Sequence, residues 1–139
     1  MKRHIPVLSK EVLEYLDPKE GDIAIDATLG FGGHSLLILK KIGDKGILIG
    51  IDKDTEALEA TKKIFEKSKN VKLIHGDFGE IGEISREQGL KNADVILADI
   101  GVSSFQLDEA QRGFSFKKEG PLDMRMDKTR DFTADNIIK

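Results

Sequence analysis

The chain has 139 residues, enough for one domain with a substantial core. Charged residues make up 34% of it and the net charge is −3, so composition alone gives no reason to expect a nucleic-acid partner. Because cysteine is absent, disulfides, thiolate zinc sites and a cysteine nucleophile are excluded. No apolar run has the length of a membrane span, and the first residues lack the apolar stretch of a signal peptide, so we expect a cytoplasmic protein that does not bind membranes.

Strand-like apolar runs alternate with amphipathic helical segments along the chain, which is typical of an α/β fold with a parallel sheet. The predicted strands cover residues 22–25, 47–51, 71–75 and 93–98, and the predicted helices cover residues 10–16, 33–42, 55–67 and 80–88. Ser9 and Asp54 are expected to cap the first and third of these helices. Four strands are too few for a finished doubly wound sheet, and residues 133–139 begin another helix that stops, so we expect a fragment of a longer protein.

A glycine-rich turn at residues 26–34 follows the first strand. Its glycines let the backbone approach a ligand closely, and the next helix points its first N–H groups toward the turn. The turn departs from the dinucleotide fingerprint because Ser35 stands where the third glycine would be. Asp26 at the strand end would repel a pyrophosphate and attract a cation. S-adenosylmethionine, which has a sulfonium, an ammonium and no phosphate, fits this turn, although an ordinary glycine-rich turn is also compatible with it.

Asp52 follows the second predicted strand, a continuous apolar run typical of a strand buried on both faces. It comes about 20 residues after Gly30, the spacing at which an acid reaches ribose hydroxyls in nucleotide-binding folds. We therefore predict that Asp52 binds the ligand, whereas Asp54 caps the following helix.

Acidic residues also follow the third and fourth strands. Asp77 and Phe78 would suit adenine, one accepting from its amino group and the other packing on its face, but a turn with a core phenylalanine is equally compatible. Asp99 follows the fourth strand. Because ligands of open α/β sheets bind outside the carboxyl ends of the strands, we expect the four acids to line that edge and favour a cationic ligand.

Regular patterning ends near Glu109, where a long loop punctuated by glycine and proline begins. A loop of this length is typically functional or disordered, and its aromatic residues and methionines argue against disorder. Phe114 and Phe116 are equally compatible with core positions. The three histidines lack the spacing of metal ligands, so no metal site is predicted.

Taken together, the motifs resemble the MraW (RsmH) family of bacterial S-adenosylmethionine-dependent methyltransferases of small-subunit ribosomal RNA. The matching segments span almost the whole chain: His4-x-Pro-Val-Leu8, Asp26-Ala-Thr-Leu-Gly-Phe-Gly-Gly-His-Ser35, Gly50-Ile-Asp-Lys-Asp54, Asp99-Ile-Gly-Val-Ser-Ser104, Gln106-Leu-Asp108, Arg112-Gly-Phe-Ser-Phe116 and Gly120-Pro-Leu-Asp-Met-Arg-Met-Asp127.

The resemblance implies a Rossmann-like class I methyltransferase that methylates the N4 amine of a cytidine in the decoding region of 16S rRNA, within the assembled small ribosomal subunit. It places the cofactor contacts at Gly32, Gly33, His34, Asp52, Phe78, Asp99 and Gln106. His34 and Gln106 come from the resemblance alone. Asp99 is also the candidate catalytic residue, because an acceptor beside the amine would help as positive charge develops there. The backbone carbonyls around Ile100 to Ser103 are the other candidates for this acceptor.

The chain departs from the family in two respects. Phe105 stands where the family usually has proline, which would loosen the loop carrying Gln106. Family members are also longer, so residues 1–139 would be the N-terminal part of the cofactor-binding domain. An inserted helical substrate domain is then expected to begin near the C-terminus and to be absent here. A cofactor-binding but inactive fragment is one alternative function, and a nicotinamide-dependent Rossmann oxidoreductase is another.

Overall fold

The structure, a computed structural model, describes residues 6–139. Residues 1–5, which include His4 of the first motif, lie outside the described part. Two compact units are distinguished: the first ends at Asp99 and the second is Ile100–Lys139. No helix within residues 6–139 combines the length and apolar character needed to cross a bilayer.

The first unit is built on a parallel sheet that has four strands within the described residues, in the order β3-β2-β1-β4. The strands are β1 (Ile23–Asp26), β2 (Ile47–Asp52), β3 (Val71–His75) and β4 (Val95–Leu97). In the register, Asp26 pairs with Gly50 and Asp52 pairs with His75, so both acids lie at the carboxyl edge. The predicted α/β class with an incomplete parallel sheet is confirmed.

Helices cover both faces of this sheet. They are α1 (Ser9–Leu16), α2 (Gly33–Ile42), α3 (Thr55–Phe65) and α4 (Ile81–Glu87). Successive side chains of a strand point to opposite faces, so β2 contributes Leu48 to the core that contains Ile38 and Phe65, and Ile49 to a second core with Ile84. The prediction that β2 is buried on both faces is therefore confirmed.

The helix starts follow the predicted capping chemistry in one case and depart from it in another. Asp54 caps α3, because its Oδ1 accepts from the Glu56 N–H at 3.0 Å. The prediction for Ser9 is wrong: Ser9 is the first helical residue, and Leu8 precedes it in a left-handed conformation with no side-chain cap.

The second unit contains α5 (Ser104–Asp108), a 3-10 turn (Ala110–Arg112) and α6 (Ala134–Ile138). Arg112 organises the loop between them: its buried guanidinium donates to the carbonyls of Arg125 at 3.1 Å and Met126 at 3.2 Å. The Met124 N–H in turn donates to the Arg112 carbonyl at 3.1 Å. The last two sequence motifs are thus joined by hydrogen bonds, whereas Phe116 is fully exposed and is not a core residue of this unit.

Candidate cofactor-binding site

The glycine turn joins β1 to α2 in a conformation that only glycine adopts easily. Gly30 and Gly32 have φ of 50° and 72°, in the left-handed region. A Cβ on Gly32 would also lie 3.0 Å from the Phe65 ring. The turn can therefore bring its backbone close to a ligand, but it could not do so with larger residues at these two positions.

Asp52 fastens this turn to the end of β2. Its Oδ2 accepts from the Gly30 N–H at 2.7 Å, and its Oδ1 accepts from the Asp54 N–H at 2.8 Å. Burial raises the pKa of Asp52, and these two N–H donors oppose that rise. A carboxylate has about four acceptor positions, and the backbone N–H groups of Gly30, Asp54 and Lys53 use three of them, so about one remains for a further donor.

Asp26 lies at the carboxyl end of β1, but its side chain is buried beneath the turn. Only 1% of it is exposed, and it accepts from the Ser35 hydroxyl at 2.7 Å and from the Thr28 N–H at 3.2 Å. The expectation that Asp26 would face a cationic ligand is therefore wrong. Its role in the fold is to hold the turn against the first residues of α2.

The burial of Asp26 predicts a pH dependence of stability. Burial raises its pKa above 3.8 in the folded chain, so the folded state holds this proton more tightly than the unfolded state does. The free energy of unfolding should then fall as the pH rises from about 4 toward 7, and Asp26→Asn should lack this part of the decline. Urea unfolding of both proteins across that range tests this, and parallel stability curves would contradict it.

Asp77 and Phe78 begin the segment after β3. Asp77 caps the 3-10 turn Phe78–Glu80 through Gly79 N–H at 3.0 Å, and its other oxygen contacts Lys53 Nζ at 2.9 Å. This cap matches the turn alternative, whereas an acceptor role of Asp77 toward adenine stays a prediction. Phe78 is 37% exposed, with Lys53 Nζ 5.2 Å from its ring centre, so part of the ring is available to a flat ligand.

His34 and Asp99 lie near each other in the first unit. His34 Nε2 is 3.8 Å from Asp99 Oδ2; the histidine side chain is 10% exposed and the carboxylate side chain 58%. Within the described residues, His34 Nδ1 is buried without a hydrogen-bond partner. Buried polar atoms are nearly always paired, so the unpaired nitrogen marks His34 as a candidate for a partner outside the protein atoms. Nowhere in residues 6–139 do three histidine, aspartate or glutamate side chains group as a metal site would require.

Gln106 belongs to the second unit, where it has a structural role. Its side chain accepts from the Ser103 N–H at 2.9 Å, and Ser103 Oγ accepts from the Gln106 N–H at 3.1 Å, which forms the capping box of α5. A serine followed three residues later by glutamine is the sequence signal for this box, and it could have revealed α5. Phe105 lies in the first turn of the formed helix. A cofactor contact of Gln106 stays a prediction.

The chain is similar in fold to solved structures from other organisms. The chain is similar to an S-adenosylmethionine-dependent O-methyltransferase from Thermotoga maritima, with a TM-score of 0.51, 27% identity, and coverage of 58% of this chain and 32% of that one. It is also similar to NSun6 from Pyrococcus horikoshii, with a TM-score of 0.54, 32% identity, and coverage of 68% and 24%. The fold is that of the Rossmann-like, S-adenosylmethionine-dependent methyltransferases.

Comparison of the sequence with known proteins identifies the family to which the chain belongs. The model of the MraW methylase family matches residues 1–139. The chain is 51% identical to ribosomal RNA small subunit methyltransferase H of Halothermothrix orenii, over 99% of this chain and 44% of that protein. For the protein of the same name from Caldicellulosiruptor bescii the identity is 49%, over 99% and 45%. The chain belongs to the MraW methylase family, and it spans less than half the length of these relatives.

The predicted family is therefore confirmed. The predicted cofactor, S-adenosylmethionine, is supported by the family match and by the methyltransferases that share the fold.

Proposed function

We propose that this chain is the cofactor-binding part of an enzyme that methylates the N4 amine of a cytidine in the decoding region of 16S rRNA. The proposed cytidine and its position rest on the family resemblance, and the observation that carries cofactor binding lies at the carboxyl edge of the sheet. There the glycine turn is held by Asp52, and the buried, unpaired Nδ1 of His34 belongs to a side chain that lies beside the exposed carboxylate of Asp99.

The residues at this edge fit S-adenosylmethionine, which when bound supplies an electrophilic methyl group on a sulfonium. Asp52 keeps about one acceptor position for a ribose hydroxyl. The exposed part of the Phe78 ring suits a flat base. The partly solvated Asp99 carboxylate suits a cationic group. Gly32, Gly33 and Gln106 complete the proposed contact set.

Asp99 is the proposed catalytic residue. The lone pair of the cytosine amine is delocalised into the ring, so the amine is a poor nucleophile. A carboxylate that accepts a hydrogen bond from the amine stabilises the positive charge that develops on it during transfer. The target base has to be flipped out or already single-stranded to reach such a group.

The proposed partner is 16S rRNA in the assembled small ribosomal subunit, in agreement with the name of the relatives, and this would place the enzyme in the cytoplasm. The chain covers 44% of the length of the Halothermothrix orenii relative. The alternative is that residues 1–139 bind the cofactor without methylating RNA.

Two measurements test the proposal. Calorimetric titration of the chain with S-adenosylmethionine and with NAD is expected to show binding of the first and none of the second; the reverse result would favour an oxidoreductase. Incubation with methyl-labelled cofactor and small subunits that lack the modification should then label N4 of one cytidine. Cofactor binding without label on the RNA would favour the cofactor-binding module.

A further inference from the structure

Thr28 connects the glycine turn to the residue at the end of the neighbouring strand. Its hydroxyl oxygen accepts from the backbone N–H of Asp99 at 2.7 Å, across 71 residues of sequence. Its own N–H donates to the buried carboxylate of Asp26 at 3.2 Å. Asp26 therefore holds the Thr28 backbone, and Thr28 holds the Asp99 backbone.

This bond lies where the ladder between β1 and β4 ends. The last main-chain bond of that ladder runs from the Ala27 N–H to the Leu97 carbonyl, at 2.8 Å. In a parallel ladder that continued, the next donor, the Asp99 N–H, would bond a main-chain carbonyl. A side-chain hydroxyl accepts it instead, so the backbone at residue 99 depends on the identity of residue 28.

The Asp99 side chain needs such an anchor because little else fixes it. Its carboxylate is 58% exposed, and His34 Nε2, which lies beside it, is 3.8 Å away, beyond hydrogen-bond distance. The direction of an exposed carboxylate is then set mainly by the position of its own backbone.

We propose that Thr28 is a positioning residue, whose hydroxyl sets where the Asp99 carboxylate stands at the ligand edge of the sheet. The inference rests on the proposed function, because it assumes that Asp99 acts on S-adenosylmethionine. Thr28 itself touches neither reactant; it acts through Asp99.

Two substitutions separate the hydroxyl from the shape of the side chain. Thr28→Val keeps the volume but removes the acceptor, and should weaken calorimetric binding of S-adenosylmethionine about fivefold to tenfold. Thr28→Ser keeps the acceptor and should stay within about twofold of the original affinity.

A double-mutant cycle with Asp99→Asn shows whether the effect passes through Asp99. In that background Thr28→Val should lower the affinity for S-adenosylmethionine by less than about twofold, because the two residues act as a unit. An equal loss in both backgrounds would overturn the inference in favour of general support of the turn. If the unmodified chain binds no S-adenosylmethionine, the proposed function fails; if it binds and Thr28→Val binds equally well, only this inference fails.

Amide hydrogen exchange tests the bond without any substitution, so the inference stays testable even if the valine variant does not fold. The Asp99 N–H should exchange slowly in the unmodified chain although its side chain is largely solvated. Exchange at the rate of an unprotected amide would overturn the inference.

Discussion

Asp52→Ala is expected to weaken the binding of S-adenosylmethionine by about tenfold to a hundredfold, because it removes charge-assisted hydrogen bonds to the ligand. It should also destabilise the chain. The carboxylate accepts from the Gly30 and Asp54 N–H groups at 2.7 and 2.8 Å, and both donors lose their partner in the alanine variant. Calorimetry measures the first effect, and urea unfolding measures the second.

Asp54→Ala is the matched control for this prediction. Like Asp52, Asp54 is an acid, and it lies two residues after Asp52. It caps α3 by accepting from the Glu56 N–H. Its replacement should cost about 1 kcal/mol of stability through the lost cap, while cofactor affinity stays within about twofold. If Asp52→Ala lost stability but kept the affinity of the unmodified chain, Asp52 would be a structural residue and its assignment to ribose would be wrong.

The parts of the fold that follow local rules were predictable from sequence. The continuous apolar run of β2 is buried on both faces because its residues have no polar side to present to water. The cap of α3 follows from the short acidic side chain of Asp54, which reaches the N–H groups of the first helical turn whatever lies around it.

The functions of the acids at the strand ends were less predictable, because sequence shows their position but not their partners. Asp26 is buried, and its carboxylate accepts a hydrogen bond from the hydroxyl of Ser35, nine residues later in the chain. Asp77 caps the 3-10 turn, and the sequence carries the signal for this capping box, since Glu80 follows three residues later. Asp99 has a largely exposed carboxylate, and Asp52 holds the glycine turn at the end of β2, so these two are the acids proposed to contact the ligand.

Long-range partners account for what the sequence could not show. The bond from the Asp99 N–H to Thr28 joins residues that are 71 positions apart in the chain. No periodicity or spacing rule encodes such contacts, whereas a family resemblance names His34 without giving its surroundings. The candidate site is thus predictable as an edge of the sheet, but the role of each side chain follows from its hydrogen bonds.

Gly113→Ala is expected to lower the free energy of unfolding of the second unit by about 2–5 kcal/mol. The causes are left-handed backbone strain and a steric clash. Gly113 has a φ of 74°, and a Cβ there would lie 2.3 Å from the Pro121 carbonyl oxygen and 3.0 Å from the Asp123 nitrogen. Both neighbours are backbone atoms, so relief requires the loop to move. That movement would break the bond from the Met124 N–H to the Arg112 carbonyl.

Amide exchange at Met124, together with urea unfolding, measures this effect, because the broken bond should expose that N–H to solvent. Gly101→Ala is the control in the same unit: a Cβ there meets no atom within 4 Å, and the change should stay within about 0.5 kcal/mol. If Gly113→Ala left the Met124 amide as protected as before, the two motifs would not depend on the close packing of Gly113 against Pro121. The arginine–carbonyl bonds of Arg112 would then be sufficient to hold the loop, and the glycine in the motif would need another explanation.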